Sequence, residues 1–235
     1  MPKYKIAGFI VEYTPKYDNL TKLSKPFLYY GDKETDITLF KSDEYIANLH
    51  SNMVKSDTIG QAEELAYATE FNRRIISHRA MLVHSSGIIV DGKAYLFSAN
   101  SGVGKSTHTR LWKQVYGDDI TYINDDKPVV RIENGSVIVY GTPFDGGSGI
   151  ANNLSAPLGG IVFIERGEEN LIFQMTSTSE ILQRLYFSTA RFVDKETANS
   201  MLDNFGELIN STVFYKLICN MELDAARVAH DFLIK

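Results

Sequence analysis

The sequence predicts an α/β fold of mixed α+β character, built on a mixed β-sheet. Three observations lead there. From about residue 80, short apolar runs follow one another between glycine-containing turns. One of these runs, residues 94–98, enters a glycine-rich turn and then a helical stretch. Further on, Asn134-Gly135 joins two β-type runs, and Asn-Gly in that setting marks a hairpin. Hairpins close to the glycine-rich turn exclude a purely parallel, doubly wound sheet.

The elements are read in chain order. Residues 4–13 are rich in β-formers, and 27–30 and 35–40 follow as further strands between polar turns. Residues 59–78 read as a helix: Ala62, Leu65, Ala66, Phe71, Ile75 and Ile76 fall near one face, with Glu63, Glu64, Arg73 and Arg74 pointing away. Residues 81–84, 88–90 and 94–98 read as strands, and a helix runs from Lys105 to about Tyr116. Strands at 120–123, 129–132, 136–140 and 159–165 follow. Helices at 178–189, 194–210 and 222–234 close the chain. The expected organisation is a small β-rich region with one helix, residues 1–78, on a nucleotide-binding core, residues 79–235.

Composition bounds the function. With 235 residues, 44% hydrophobic and 23% charged, the chain can bury a sizeable core and is not a disordered, collagen-like or membrane-bundle sequence. The 24 basic against 29 acidic residues give a net charge of -5, without the basic excess of a duplex-nucleic-acid reader. No apolar run reaches the roughly 18 residues of a membrane span, and Glu12 interrupts the N-terminal apolar stretch before it can serve as a signal peptide. The expected compartment is the cytoplasm, with no nucleic-acid or membrane partner. The single cysteine, Cys219, allows no internal disulfide and reads as a buried thiol.

The glycine-rich turn is Ser101-Gly102-Val103-Gly104-Lys105-Ser106-Thr107, set between a strand and a helix. That is the context of a phosphate-binding loop. Its glycines let the backbone curl so that successive N–H groups converge on an anion, and the helix N-terminus adds its positive end. Lys105 reaches the β- and γ-phosphates of a nucleotide, and the Ser106 hydroxyl ligates Mg²⁺. The first glycine of the usual pattern falls at Ala99, which the chemistry tolerates if its φ stays negative.

About twenty residues later, Asn124-Asp125-Asp126-Lys127-Pro128 ends a short apolar strand. Phosphoryl transfer needs an acidic element to hold the metal and, for a hydroxyl acceptor, a base. Two adjacent carboxylates allow one to face the metal while the other takes the proton. The same string is also good turn chemistry. His84, expected to end a strand beside the phosphate-loop strand, is either a hydrogen-bonded structural residue or part of the site. The loop 141–149, with Asp145, is a connector or a substrate lid. Glu165-Arg166 is a surface ion pair or a support for the site.

These residues, in this order, resemble the HPr kinase/phosphorylase superfamily, whose catalytic domain is related in fold to phosphoenolpyruvate carboxykinase. The likeness spans roughly residues 80–175. It runs through His84, Ser101–Ser106 and Asp125-Asp126, and extends to Gly104–Trp112, Asn124–Pro128, Gly141-Thr142-Pro143-Phe144 and Pro157-Leu158-Gly159-Gly160-Ile161. The resemblance implies that Lys105 and the backbone of residues 102–107 bind phosphate. It assigns Mg²⁺ to Ser106 and Asp126, shares metal contact and general base between Asp125 and Asp126, and sets His84 near the transferred phosphate. Residues 1–78 match no regulatory domain of that family, and Ala99 and Phe144 depart from its commonest residues. The implied function is an Mg²⁺/ATP-dependent kinase acting on a hydroxyl, that of serine, in a protein, peptide or small molecule. The alternative is a catalytically silent nucleotide-binding partner in regulation or peptide maturation. The hairpin after the acidic pair argues against a nucleotide kinase of the common P-loop fold. The 13 Tyr and 13 Phe leave apolar material for a homo-oligomer interface.

Overall fold

The computed structural model describes residues 1–100, 102–189 and 195–234. The chain opens with a hairpin of β1 (Lys3–Ile6) and β2 (Phe9–Glu12), turned by Ala7 and Gly8 at positive φ. Helix α1 (Asp18–Ser24) follows, then β3 (Ile37–Thr38), which pairs parallel to β2. Next come α2 (Asp43–Ser51) and α3 (Ile59–Ile75). The strand expected at 27–30 is instead a 3₁₀ turn over Lys25–Phe27, with one bridge from Leu28 to Tyr4. Pro26 at the first turn suits a helical start, which outweighs the aromatic run after it. Helices α1 and α2 carry too few apolar residues for periodicity to reveal them. Three short strands and three helices thus build residues 1–78.

Among the described residues, the main sheet has nine strands. They are β4 (Ala80–Leu82), β5 (Ser85–Val90), β6 (Lys93–Ser98), β7 (Thr121–Asn124), β8 (Val129–Glu133), β9 (Ser136–Tyr140), β10 (Ser155–Arg166), β11 (Leu171–Gln174) and β12 (Phe214–Cys219). Helix α4 (Lys105–Tyr116) leaves the end of β6, α5 (Thr178–Ser188) and α6 (Lys195–Ser211) follow β11, and α7 (Leu223–Leu233) closes the chain. The Asn134-Gly135 turn joins β8 to β9 with both residues at positive φ, the hairpin its sequence predicts.

Strand β10 organises the sheet. Along one edge it pairs first antiparallel with β9 and then parallel with β12, and along the other it pairs parallel with β6. A register shift between Leu158 and Gly160 lets the strand change direction between these partners, so the sheet curls. The order β7-β5-β6-β10-β12 sets the ends of β6, β7, β10 and β12 and the start of β5 along one edge. Four pairings, two antiparallel and two parallel, thus converge on a single rim.

Both faces of the sheet are covered. One face packs Leu96, Ile123, Ile161 and Phe163 against Ile181 and Leu185 of α5 and Met201, Phe205 and Leu208 of α6. The other packs Ile88, Phe97 and Val162 against Leu111 and Trp112 of α4 and the alanines of α7. His108 belongs to this second layer: its Nε2 accepts the Trp112 indole N–H at 3.0 Å, and burial pushes its pKa down to about 3, so it stays neutral. Cys219 is buried there too, and burial raises its thiol to about 11. A third apolar cluster joins Tyr13, Phe27, Tyr67 and Phe71 to Val129 and Phe144, tying residues 1–78 onto the sheet.

Glu63 and Glu64 do not point away from the core; both are buried, at 0% and 2% exposure. Each has found backbone donors elsewhere in the chain. Glu63 accepts the amides of Lys16 and Tyr17, at 2.6 and 3.1 Å. Helical periodicity cannot register this, because the donors lie 46 and 47 residues away. Among the described residues, no helix is long and apolar enough to cross a membrane.

Candidate phosphate site

The site is built on the rim where β6 gives way to α4. Gly102 and Gly104 have φ of +77° and +125°, which L side chains rarely adopt, so the curl needs glycine at both. Ala99 is absent from the positive-φ residues, and the loop is compatible with alanine there. Lys105, the first residue of α4, is only 8% exposed, and its Nζ donates to the Ala99 carbonyl at 3.4 Å. Burial holds its ammonium below the usual lysine value, while Asp126 and then Asp125 draw it back up. The two carboxylates therefore act on the lysine charge across the loop. Ser106 and Thr107 are half-buried in the first turn of the helix. Ser101 lies outside the described residues.

Asp125 and Asp126 follow β7 and have unlike surroundings. Asp126 Oδ1 lies 3.1 Å from His84 Nε2, and its Oδ2 pairs with Lys127 Nζ. Burial pushes its carboxyl up, but the His84 hydrogen bond and the Lys127 charge outweigh that and hold it well below the usual carboxylate range. Asp125 is 5% exposed, and its Oδ1 is buried without a hydrogen-bond partner. An unsatisfied buried oxygen costs about 1–3 kcal/mol and calls for a partner from outside the chain, a cation or a hydroxyl.

His84 does not end a strand beside β6. It sits in the short link between β4, which pairs with β8, and β5, which pairs with β6. Its backbone is fixed from both sides: its N–H donates to Ser188 O at 2.6 Å, and its carbonyl accepts the Ser98 hydroxyl at 2.9 Å. This is how the imidazole reaches Asp126.

Asn124 holds the acidic turn in shape. Its Oδ1 accepts the amides of Asp126 and Lys127, at 2.9 and 2.7 Å. Its Nδ2 donates to the carbonyls of Thr142 and Phe144, at 3.0 and 3.2 Å. The Thr142 hydroxyl donates to Lys127 O at 2.7 Å and accepts the Phe144 amide at 3.2 Å. Turn chemistry and site chemistry are thus the same feature: the side-chain turn aims the two aspartates.

The loop 141–149 lies over this turn. A Cβ on Gly146 would come 2.7 Å from the Asp126 carboxylate carbon, so only glycine fits so close. The Asp145 carboxylate accepts amides of its own loop, Gly147 at 2.9 Å and also Gly149. Glu64 anchors the loop from outside: its Oε1 accepts the Asp145 and Gly146 amides, both at 2.8 Å, and its Oε2 accepts from Asn19 Nδ2 at 2.9 Å. Burial pushes the Glu64 carboxyl up to about 7, against the pull of the Gly146 amide and Lys127.

On the opposite flank stands β10. Arg166 donates from Nε to Val103 O at 3.1 Å and from Nη2 to Gly102 O, gripping two carbonyls of the phosphate loop. Within the loop the Val103 amide donates to Asn100 O at 3.2 Å. Glu165 pairs with Arg184 and with Lys216 Nζ, at 3.0 Å for the latter. Glu165-Arg166 is therefore a support for the site and not a lone surface pair.

Asn124, Thr142 and Glu64 are the residues whose role the sequence did not disclose, and for Arg166 it left support of the site open beside a surface pair. The Asn-Asp-Asp-Lys-Pro string contained the signal for Asn124, since Asn before two residues with free amides forms side-chain turns. The others act across 15, 63 or 81 residues of chain.

The donors present suit Mg²⁺ with phosphate. A hydroxyl at Ser106, a carboxylate kept ionised at Asp126 and an open buried oxygen at Asp125 are hard oxygen ligands. No group of three or more His, Cys, Asp or Glu placed for a metal occurs among the described residues. Mg²⁺ shared with phosphate oxygens and water takes only one or two carboxylates from the protein.

No family model matches the chain, and no curated protein shows significant similarity to it. Among solved structures it is distantly similar to an Hpr(Ser) kinase/phosphatase from Coxiella burnetii, with 11% identity and a TM-score of 0.38, over 64% of this chain and 95% of that one. A score that low carries no argument about the site. The chain itself is a mixed α/β protein with a curled mixed sheet and a small second sheet.

Proposed function

We propose that the chain is an Mg²⁺/ATP-dependent kinase that transfers a phosphoryl group to a hydroxyl, that of a serine, on a protein, peptide or small molecule. The observation that carries this is the facing of buried Lys105, at the head of a glycine-curled loop, with the Asp125-Asp126 pair and His84.

In this reading the backbone of residues 102–107 and Lys105 bind the triphosphate and neutralise charge as it develops. Ser106 and Asp126 hold the metal, which when bound screens the phosphate oxygens. Asp126 suits that role because it stays anionic at every working pH. A carboxylate held so low is a weak base. The open Oδ1 of Asp125 is the better acceptor for the proton of the attacking hydroxyl. His84 positions Asp126, and its imidazole is the group that would bond the oxygens of the transferred phosphate. The acceptor oxygen forms the new bond to the γ-phosphorus, the bond from that phosphorus to the β-phosphate oxygen breaks, and its electron pair leaves on the diphosphate. Loop 141–149 covers the acidic turn and must shift to admit the acceptor.

Titration of Mg·ATP into the wild type and Lys105→Ala by calorimetry tests the phosphate site. Saturable binding lost in the variant supports it. Labelled ATP with a lysate then tests transfer. Transfer should fall about 100-fold or more in Asp125→Asn and in Asp126→Asn. Transfer that survives both Lys105→Ala and Asp126→Asn sinks the kinase reading.

A further inference from the structure

Among the described residues the main sheet ends at β4, β7 and β11, because β10 carries both β9 and β12 along one edge. Two of these ends are closed. Outside β4, the Leu82 amide donates to Asn72 Oδ1 at 2.7 Å and the His84 amide to Ser188 O at 2.6 Å. Outside β7, the Ile123 carbonyl accepts the Asn152 amide at 3.3 Å, and Asn124 bridges to Ala151. The third end, β11, pairs with β12 alone.

The β11-β12 ladder runs without a register shift, and the Met175 amide extends it to Phe214 O at 2.8 Å. In an antiparallel ladder successive residues turn their backbone groups to alternate sides. Leu171, Phe173 and Met175 thus face β12, and the N–H and C=O groups of Ile172 and Gln174 face outward. No hydrogen bond among the described residues occupies them. Leu171 and Phe173 stay 50% and 44% exposed. An open edge with apolar side chains and no Lys, Pro or bulge is a template for another strand.

We propose that β11 is a homodimer interface: β11 of a second copy pairs with it antiparallel, across a two-fold axis at Phe173, and joins the two main sheets into one. This is independent of what the phosphate site does.

The strand complements itself. Its outward residues flank Phe173, so the two-fold sets Ile172 of each copy opposite Gln174 of the other. Each such pair exchanges two N–H···O bonds. Phe173 meets its counterpart in the non-hydrogen-bonded position, where side chains come closest and aromatic pairs stabilise a sheet. Charge fits the same register. Glu168 and Glu169 precede the strand, and Ser177 caps α5 after it. Antiparallel pairing about Phe173 sets Glu169 of each copy opposite Ser177 of the other, and a helix start favours an acidic neighbour. Glu180 in that first turn is already paired with Arg184 at 2.9 Å. A parallel approach would lay acidic turn on acidic turn. Both matches are properties of the chain against itself, which an unrelated strand does not supply. Four residues a side bury less than the roughly 800 Å² per partner of a standard interface, so the dimer is reversible, with a Kd of about 10–100 µM.

Sedimentation velocity of the full chain, from about 5 µM to about 1 mM, tests this. The wild type should pass from monomer to dimer across that range. Phe173→Lys puts two like charges on the axis, and Gln174→Pro removes an outward N–H without touching the β12 ladder. Each should raise Kd about ten-fold or more at an unchanged urea midpoint. With oxidised glutathione, Phe173→Cys should close a disulfide between copies. Leu171→Cys, about 13 Å from its counterpart in this register, should not. A wild type that stays monomeric throughout overturns the proposal. So does a dimer that both edge variants leave intact, which places the interface on another surface. No cross-link at 173, or equal cross-linking at 171 and 173, also overturns it. If an edge variant loses its fold, the two exposed cysteine variants decide alone.

Discussion

Glu64→Gln is the sharpest test of how the loop over the acidic turn is held. Glu64 is 2% exposed and accepts the Asp145 and Gly146 amides and the Asn19 side-chain amide. Burial raises its pKa from 4.5 to about 7; the Gly146 amide and Lys127 oppose this, and Asp145 and Asp126 add to it. A carboxyl with a raised native pKa binds its proton more tightly folded than unfolded. Its contribution to stability is therefore full below the unfolded value and is lost as pH rises from 4.5 through about 7. A shift of that size corresponds to about 3 kcal/mol. Gln at this position keeps an oxygen for the two loop amides and does not titrate. Relative to wild type, the variant should thus gain about 3 kcal/mol between pH 4.5 and pH 8, or roughly 6–12 °C in Tm for a chain of this length. Urea unfolding of both proteins across that range measures it. Asp126 does not confuse the window, because its own titration is displaced well below it. A difference that stays flat with pH refutes the reasoning. So does a wild type that gains on the variant as pH rises, since the hydrogen bonds would then outweigh burial.

Two further outcomes follow from contacts at the site. Asn124→Ala strips four backbone partners of a fully buried side chain and should cost about 2–4 kcal/mol, read as a lower urea midpoint at unchanged slope. Arg166→Met removes the clamp on Gly102 and Val103 while keeping the aliphatic stem. Because the guanidinium is exposed, the effect should be about ten-fold in Kd for Mg·ATP, with the transfer rate at saturation unchanged. A fall in that saturated rate instead would place Arg166 in the chemistry.

What could be read from the sequence follows the range of the interactions. The curl of 102–107 and its helix were legible because glycine, lysine and the helix start are neighbours in the chain. The hairpin at Asn134-Gly135 was legible for the same reason, as was the expectation of a mixed sheet. Strands β11 and β12 escaped notice because β12 is one short run whose partners lie more than forty residues back, and β11 leaves Leu171 and Phe173 exposed. Glu63 and Glu64 depart from a sound rule. Charged residues belong on the wet face of a helix unless paired, and their partners here are backbone amides that carry no sequence signature. The loop 141–149 looked equally like a connector or a lid. Its role over Asp126 depends on Gly146 approaching a carboxylate twenty residues earlier.

The two adjacent aspartates also show why order in the chain cannot assign roles. Adjacent residues of a turn point different ways, so Asp125 and Asp126 meet different neighbours although their side chains are identical. Asp126 turns toward His84 and Lys127, and both its oxygens are engaged by cations or donors. Asp125 turns inward and keeps an oxygen open. Pairs of carboxylates whose surroundings diverge in this way are how one site supplies both a fixed charge and a base. The divergence is produced by Asn124, which bonds the amides of Asp126 and Lys127 and so fixes which way each following side chain points. In the proposed kinase, the division of labour between the aspartates would thus depend on a neutral side chain one residue before them.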